Sequence, residues 1–132
     1  MVTKIVITGK NVPQSHLPFS PAIQSGDYVF ISGQASTDSE GKIVSGIFEE
    51  ECRRSFENLK AILEASGLGF KDVVQVRNYV GKQEYLVSFN NIYKEFFSEP
   101  YPARTTLIGC LGDLLKFEVD AIVHTKEIKL CH

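Results

Sequence analysis

The chain has no tryptophan and only three cysteines, Cys52, Cys110 and Cys131, none of them in CxxC spacing. An odd, scattered set of thiols argues against a disulfide scaffold or a zinc site and fits the reduced thiols of a cytoplasm. The three histidines, His16, His124 and His132, form no ligand-spaced cluster, and no cofactor motif stands out. No apolar run is long enough for a membrane span, and residues 1–7 are too few for a signal peptide. There is also no block of one charge: 14 basic and 16 acidic residues are interspersed, for a net charge of -2. That balance argues against broad electrostatic binding to nucleic acid. With neither repeat nor linker, the 132 residues read as one domain, 1–132, with apolar content for a single core.

What is present alternates between strand and helix periods. Residues 4–8 form a short β-rich run, and Pro13, Pro18 and Pro21 make the following stretch an ordered loop. Ile23 starts a strand, Ser25-Gly26-Asp27 turns, and Tyr28 to Ser32 returns as the second arm of a hairpin that Gly33-Gln34 ends. A helix is predicted over about 46–66, with Cys52, Phe56, Leu59 and Leu63 at helical spacing and Ile62 broadening the stripe. Glu49, Glu50 and Glu51 suit its positive end, Gly67 stops it, and Asn58 reads as bonding a neighbouring loop. Residues 73–80 are the clearest strand, with Val74, Val76 and Val80 on one face. A second helix follows over about 84–98, its core stripe Leu86, Phe89, Tyr93 and Phe96, with Asn90 at the edge.

After Pro100 and Pro102, residues 104–108 and 114–124 read as the two arms of a last hairpin, with a weakly alternating tail over 125–132. In its second arm Leu115, Phe117, Val119, Ala121 and Val123 face one way and Lys116, Glu118 and Asp120 the other. Two helices with one apolar face each predict an α+β domain, a mixed sheet with both helices packed on one face. The uncovered sheet face predicts a closed homo-oligomer. A hairpin centred on Leu111 sets Arg104 opposite Glu118, with Thr106 and Ile108 on Arg104's face. Spacing alone leaves two readings open: an ordinary cross-strand ion pair, or a forked grip on a ligand carboxylate beside a proton-handling group. Cys110 reads as a buried structural thiol.

Six segments, in order along nearly the whole chain, resemble the RidA/YjgF family of reactive-intermediate deaminases. They are Pro18-Phe19-Ser20-Pro21-Ala22, Ser32-Gly33-Gln34, Asn58-Leu59-Lys60-Ala61-Ile62-Leu63, Asn90-Asn91-Ile92-Tyr93, Pro102-Ala103-Arg104 and Phe117-Glu118-Val119-Asp120-Ala121-Ile122. The resemblance implies a chorismate-mutase-like α+β fold and a homotrimer with pockets between subunits. It also implies cofactor-free hydrolysis of enamines and imines to 2-oxo acids and ammonia. Arg104 then matches the arginine that holds the substrate carboxylate, and Glu118 the glutamate that positions water or moves its proton. Asn90 matches a pocket asparagine and Gly33 a backbone lining.

Three departures from the family pattern bear on rate or substrate preference. Phe19 stands where many members have tyrosine, Thr106 where they have cysteine, and the connection from Arg104 to Glu118 is one residue shorter. They also keep open an alternative, a non-catalytic module that binds 2-oxo acids or another metabolite. Some relatives are described as endoribonucleases, but the chain has no basic stripe, aromatic ladder or histidine pair for that chemistry.

Overall fold

A computed structural model describes residues 3–125 of the chain. Its strands and helices run β1 (Ile5–Val6), β2 (Ala22–Ser25), β3 (Tyr28–Ala35), α1 (Phe48–Ala65), β4 (Val73–Val80), α2 (Leu86–Phe96), β5 (Ala103–Ile108) and β6 (Phe117–His124). They build one six-stranded sheet in the order β1-β2-β3-β6-β4-β5. Only β4 and β5 are parallel, joined by the crossover through α2. Both helices share one core with Phe117, Val119, Ala121 and Val123 of β6 and Val76 and Val80 of β4. The mixed sheet with helices on one face is the α+β layout expected from the periodicities.

Local sequence explains the boundaries. Phe48, Cys52, Phe56, Leu59, Ile62 and Leu63 are the buried stripe of α1. The helix stops because Gly67 takes a positive φ, so that its N–H bonds Glu64 O and the Leu68 N–H bonds Leu63 O. This pair of bonds closes carbonyls the helix leaves open, and only glycine enters that conformation cheaply. In β6 buried residues alternate with half-buried ones throughout, as a strand covered on one face requires. The Asn58 amide donates to the carbonyls of Ala35 and Thr37, at 3.0 and 3.1 Å, and ties α1 to the end of β3. That is the loop bond read from the sequence.

Glu51 goes inward. Its side chain is 1 % exposed, and its carboxylate accepts the backbone N–H of Gly46 at 3.2 Å and that of Lys116 at 3.1 Å. The Lys116 ammonium closes on it as well, at 3.1 Å. One carboxylate thus joins the entry to α1 with the entry to β6.

The sheet order overturns several expectations. Residues 104–108 and 117–124 are not a hairpin, because β6 enters between β3 and β4 while β5 lies beyond β4 at the edge. The crossover through α2 delivers β5 parallel to β4, and the longer, better alternating β6 takes the interior place, hydrogen-bonded on both sides. Gly33-Gln34 does not end β3, which shifts register there and continues to Ala35. A similar irregularity at Val73/Gln75 turns Val74 out to solvent, leaving Val73 in the core. Phe96 is half-buried and Phe97 takes the buried position. Lys116 does not share the face of Glu118, since it precedes β6 and is drawn to Glu51. Cys110 is exposed, in the turn after β5 rather than in the core. Of the tail expected over 125–132, residues 126–132 lie outside the described residues.

Removing the Glu51 carboxylate leaves two backbone N–H donors and the half-exposed Lys116 ammonium without their acceptor. Glu51→Ala is expected to lose about 2–4 kcal/mol of stability, chiefly from the stranded backbone donors, read from urea unfolding midpoints at constant slope. Glu51→Gln, which keeps one acceptor oxygen, is expected to lose less.

Candidate functional site

Arg104 sits on the edge strand, paired across the parallel ladder with Val76, and so shares the helix face of the sheet. Thr106, paired with buried Asn78, faces the same way two residues on. The Arg104 guanidinium carbon lies 4.9 Å from the ring centroids of both Phe89 and Tyr93 on α2. Two aromatic faces attract the cation without consuming its N–H donors. Among the described residues it makes no hydrogen bond or ion pair. The cleft beside it is lined by Asn90, Tyr93, Lys94, Tyr101, Pro102 and Arg104. Burial pushes the Tyr93 phenol up, with Arg104 acting in the opposite direction.

Glu118 is on the other face. Its neighbours in β6, Phe117 and Val119, point into the helix layer, so Glu118 points to the open side of the sheet. There it lines a cavity of about 560 Å³ with Phe19, Ser32, Gly33, Gln75, Arg77 and Asp120, among others. The carboxylate lies directly over Gly33, where a Cβ would overlap its oxygen and stand 2.9 Å from its carboxyl carbon. A side chain at position 33 would have to push the Glu118 carboxylate out of this place. The Ser32 hydroxyl donates to Ser20 O at 2.6 Å and its N–H to Pro21 O at 3.0 Å, which seats the loop carrying Phe19 against the cavity. Glu118 has no hydrogen-bond partner among the described residues, and burial first, then the charge of Asp120, raises its pKa above the ordinary carboxylate value.

The six sequence-selected residues therefore form two groups. Arg104, Asn90 and Thr106 lie on the helix side of the edge strand, while Glu118, Gly33 and Phe19 line the open face. The expected patch with Arg104 directly opposite Glu118 does not exist within one chain, because β4 separates their strands and their side chains take opposite faces.

The sequence reading passed over two features. Helical spacing marks Phe89 and Tyr93 as core, yet their rings also carry the guanidinium. Arg77 and Tyr79 reach across from β4 to Asp120, Nε–H to Oδ1 at 2.9 Å and O–H to Oδ2 at 2.8 Å. Alternation along 73–80 could have put Arg77 and Tyr79 on one face, but their partner shows only once β6 is known to adjoin β4. The Asn78 amide, fully buried beside Thr106 in register, has no partner among the described residues.

The raised pKa of Glu118 has a definite sign. The native state holds this proton more tightly than the unfolded chain, so ionising Glu118 subtracts stability as pH rises from the ordinary carboxylate range through its raised value. Glu118→Gln is accordingly expected to melt above the unsubstituted protein at about pH 8 and to lose that advantage near pH 4. Calorimetric scans across pH read this directly.

Comparison with known proteins places this architecture. Residues 9–125 match the family model described as endoribonuclease L-PSP. A RutC family protein of Pyrococcus horikoshii is 37% identical over 92% of this chain and 98% of its own length. A 2-iminobutanoate/2-iminopropanoate deaminase of Dermatophagoides farinae is 34% identical over 93% of this chain and 98% of its own. A crystal structure of a candidate endoribonuclease from Thermotoga maritima superposes with a TM-score of 0.85 at 34% identity, covering 93% of this chain and 98% of that one. With the fold, the segment order and the matches in agreement over nearly its whole length, the chain belongs to the RidA/YjgF family, the endoribonuclease L-PSP family of the matching model.

Proposed function

We propose that the protein hydrolyses small 2-imino and 2-enamino acids to 2-oxo acids and ammonia, in a pocket completed between copies of the chain. The observation that carries this reading is the pairing of chemistries on the two half-sites. Among the described residues, one offers a guanidinium with no counter-ion and the other a half-buried carboxyl with no hydrogen-bond partner and a raised pKa. The name of the mite relative, an iminobutanoate/iminopropanoate deaminase, supports the same reaction.

In this reading Arg104 binds the substrate carboxylate in a forked, charge-assisted contact, with Asn90 beside it and the Thr106 hydroxyl on the same face. Phe19 and the Gly33 backbone wall the other side. The imine carbon is already electrophilic, so the site needs chiefly orientation. A 2-enamino acid enters as its imine tautomer. Glu118 takes a proton from the attacking water as the C–O bond forms and passes it to the imine nitrogen, then carries the carbinolamine O–H proton to the same nitrogen. The resulting carbinolamine collapses, the C–N bond breaks, and ammonia leaves as the carbonyl forms. A carboxyl whose pKa is raised toward the working pH suits both directions of that transfer. No cofactor enters the scheme.

Because Arg104 and Glu118 occupy opposite faces of one sheet, the reading takes each from a different copy. The assembly is a closed homotrimer, as the family resemblance implies, each interface placing the edge-strand half of one copy over the open-face half of the next. Exposed Phe30 and Leu107 and the edge strand itself are then covered. A binding module for 2-oxo acids is the competing reading, favoured by Phe19 and Thr106 in place of the family's tyrosine and cysteine.

Ammonia release from imines generated by an amino-acid oxidase tests the reaction. Release above the uncatalysed rate is expected, with Arg104→Ala lowering kcat/KM about 100-fold, the loss of roughly 3 kcal/mol of charge-assisted contact. Saturable 2-oxo acid binding without release would give the binding module the better claim. Shared pockets are tested by mixing: Arg104→Ala and Glu118→Gln proteins, each strongly impaired alone, are expected to regain about a quarter of the activity when unfolded and reassembled together at equal amounts. No recovery from mixed assemblies of the right size would count against pockets shared between copies.

A further inference from the structure

Arg77, Tyr79 and Asp120 form a hydrogen-bonded cluster on the open face beside Glu118, and the family reading of the pocket gives them no role. Glu118 and Asp120 are two residues apart on β6, on one face, and both line the same cavity. Their surroundings differ sharply. Both Asp120 oxygens are engaged, one by the Arg77 guanidinium at 2.9 Å and the other by the Tyr79 hydroxyl at 2.8 Å, and its side chain is only 18% exposed. Glu118 stands over Gly33 with no such donor among the described residues. Tyr79 is also the residue paired with Glu118 across the β4–β6 ladder, so the clamp adjoins the free carboxyl directly.

We propose that Asp120, clamped by Arg77 and Tyr79, is a positioning residue that acts through Glu118, a fixed negative charge that keeps the neighbouring carboxyl able to hold a proton. Two carboxyls in one cavity separate into a charge-holding and a proton-carrying member when only one receives donors. Asp120 is the member with donors. Burial and the Asp120 charge both raise the Glu118 pKa, as this division of roles requires. The inference rests on the proposed role of Glu118 in proton transfer, but its physical content is the coupling between the two carboxyls.

Among the described residues, the ionisable groups facing Glu118 are Asp120 on its own strand and Tyr79 and Arg77 on β4. From β3 and the loop before it come Ser32, Gly33 and Phe19, none of which titrates in the range of interest. In the proposed assembly the Arg104 of another copy acts on Glu118 in the direction opposite to Asp120, and it is present in every variant below.

The two ends of the clamp have opposite signs. Asp120→Asn removes the negative charge while leaving Arg77 in place, so the Glu118 titration is expected to move to lower pH. Arg77→Met keeps much of the side chain's apolar bulk but removes the cation that offsets Asp120, so it is expected to move to higher pH. Tyr79→Phe, which withdraws one donor from Asp120, is expected to move it in the direction of Arg77→Met by a smaller amount. The readout is the ¹³C resonance of the Glu118 carboxyl in glutamate-labelled protein, identified as the signal lost in Glu118→Gln and followed across pH. Opposed shifts in Asp120→Asn and Arg77→Met support the proposal. A titration that stays in place in either variant, or moves the same way in both, overturns it. Should Asp120→Asn not fold, the direction of the Arg77→Met and Tyr79→Phe shifts decides: upward supports, unmoved or downward overturns. The readout needs no turnover, so opposed shifts without ammonia release would sink the deaminase reading and leave the coupling standing. Ammonia release with an unmoved titration would do the reverse.

Discussion

The Glu51 carboxylate is the contact on which the arrangement depends. It belongs to the first turn of α1, where an acidic residue would ordinarily sit in water against the positive helix end. Here it is buried, accepting the backbone N–H groups that lead into α1 and toward β6 and the ammonium of Lys116. A buried carboxylate is tolerable only when its lone pairs are met this fully. Lys116 is two residues before Glu118, so the bond that anchors the helix also helps set where β6 begins. Which residues of β6 face the helices, and which the open cavity, follows from that start, because a slip of one residue exchanges the faces.

The same alternation separates two kinds of environment. On the helix face the aromatic residues of α2 hold the Arg104 guanidinium by their π systems and leave its donors unspent. On the open face there is no such layer, and charged groups arrange themselves by mutual hydrogen bonding, as Arg77, Tyr79 and Asp120 do. Glu118 falls between these regimes: too covered to be well solvated, yet without a donor to its carboxylate among the described residues. Asn78 is a further departure from full satisfaction. Its amide is sealed in the helix layer without a partner among the described residues, at a typical cost of about 1–3 kcal/mol.

The sequence made the elements legible and the pairings only partly so. Helical spacing located α1 and its stop at Gly67, and strict alternation located β6, because both patterns are local consequences of which face is buried. Chain order was a poor guide to strand neighbours. Consecutive strands separated by a turn-like Gly109 to Gly112 read naturally as a hairpin, and nothing in residues 104–124 alone signals that β6 crosses β4 to pair with β3. The facing of Arg104 and Glu118 failed for that reason, as did the placement of Cys110, whose apolar character suggested the core while its position after the edge strand leaves it exposed. The residue types of the candidate site came through the family resemblance. Their division into two groups, and the donors on Asp120, are properties of sheet order and could be seen only in three dimensions.

Opposite-face placement has an arithmetic consequence. No hinge or loop movement within one chain can bring Arg104 through the sheet to Glu118, so on the proposed reading an isolated copy has two halves and no whole site. Two copies joined head to tail complete one pocket and leave two halves idle. Only a closed ring uses every half, giving as many pockets as chains. The number of working sites then rises more steeply than the amount of protein in the range where rings form. Dilution becomes a form of inhibition that requires no inhibitor, built into which side of a strand two residues happen to face.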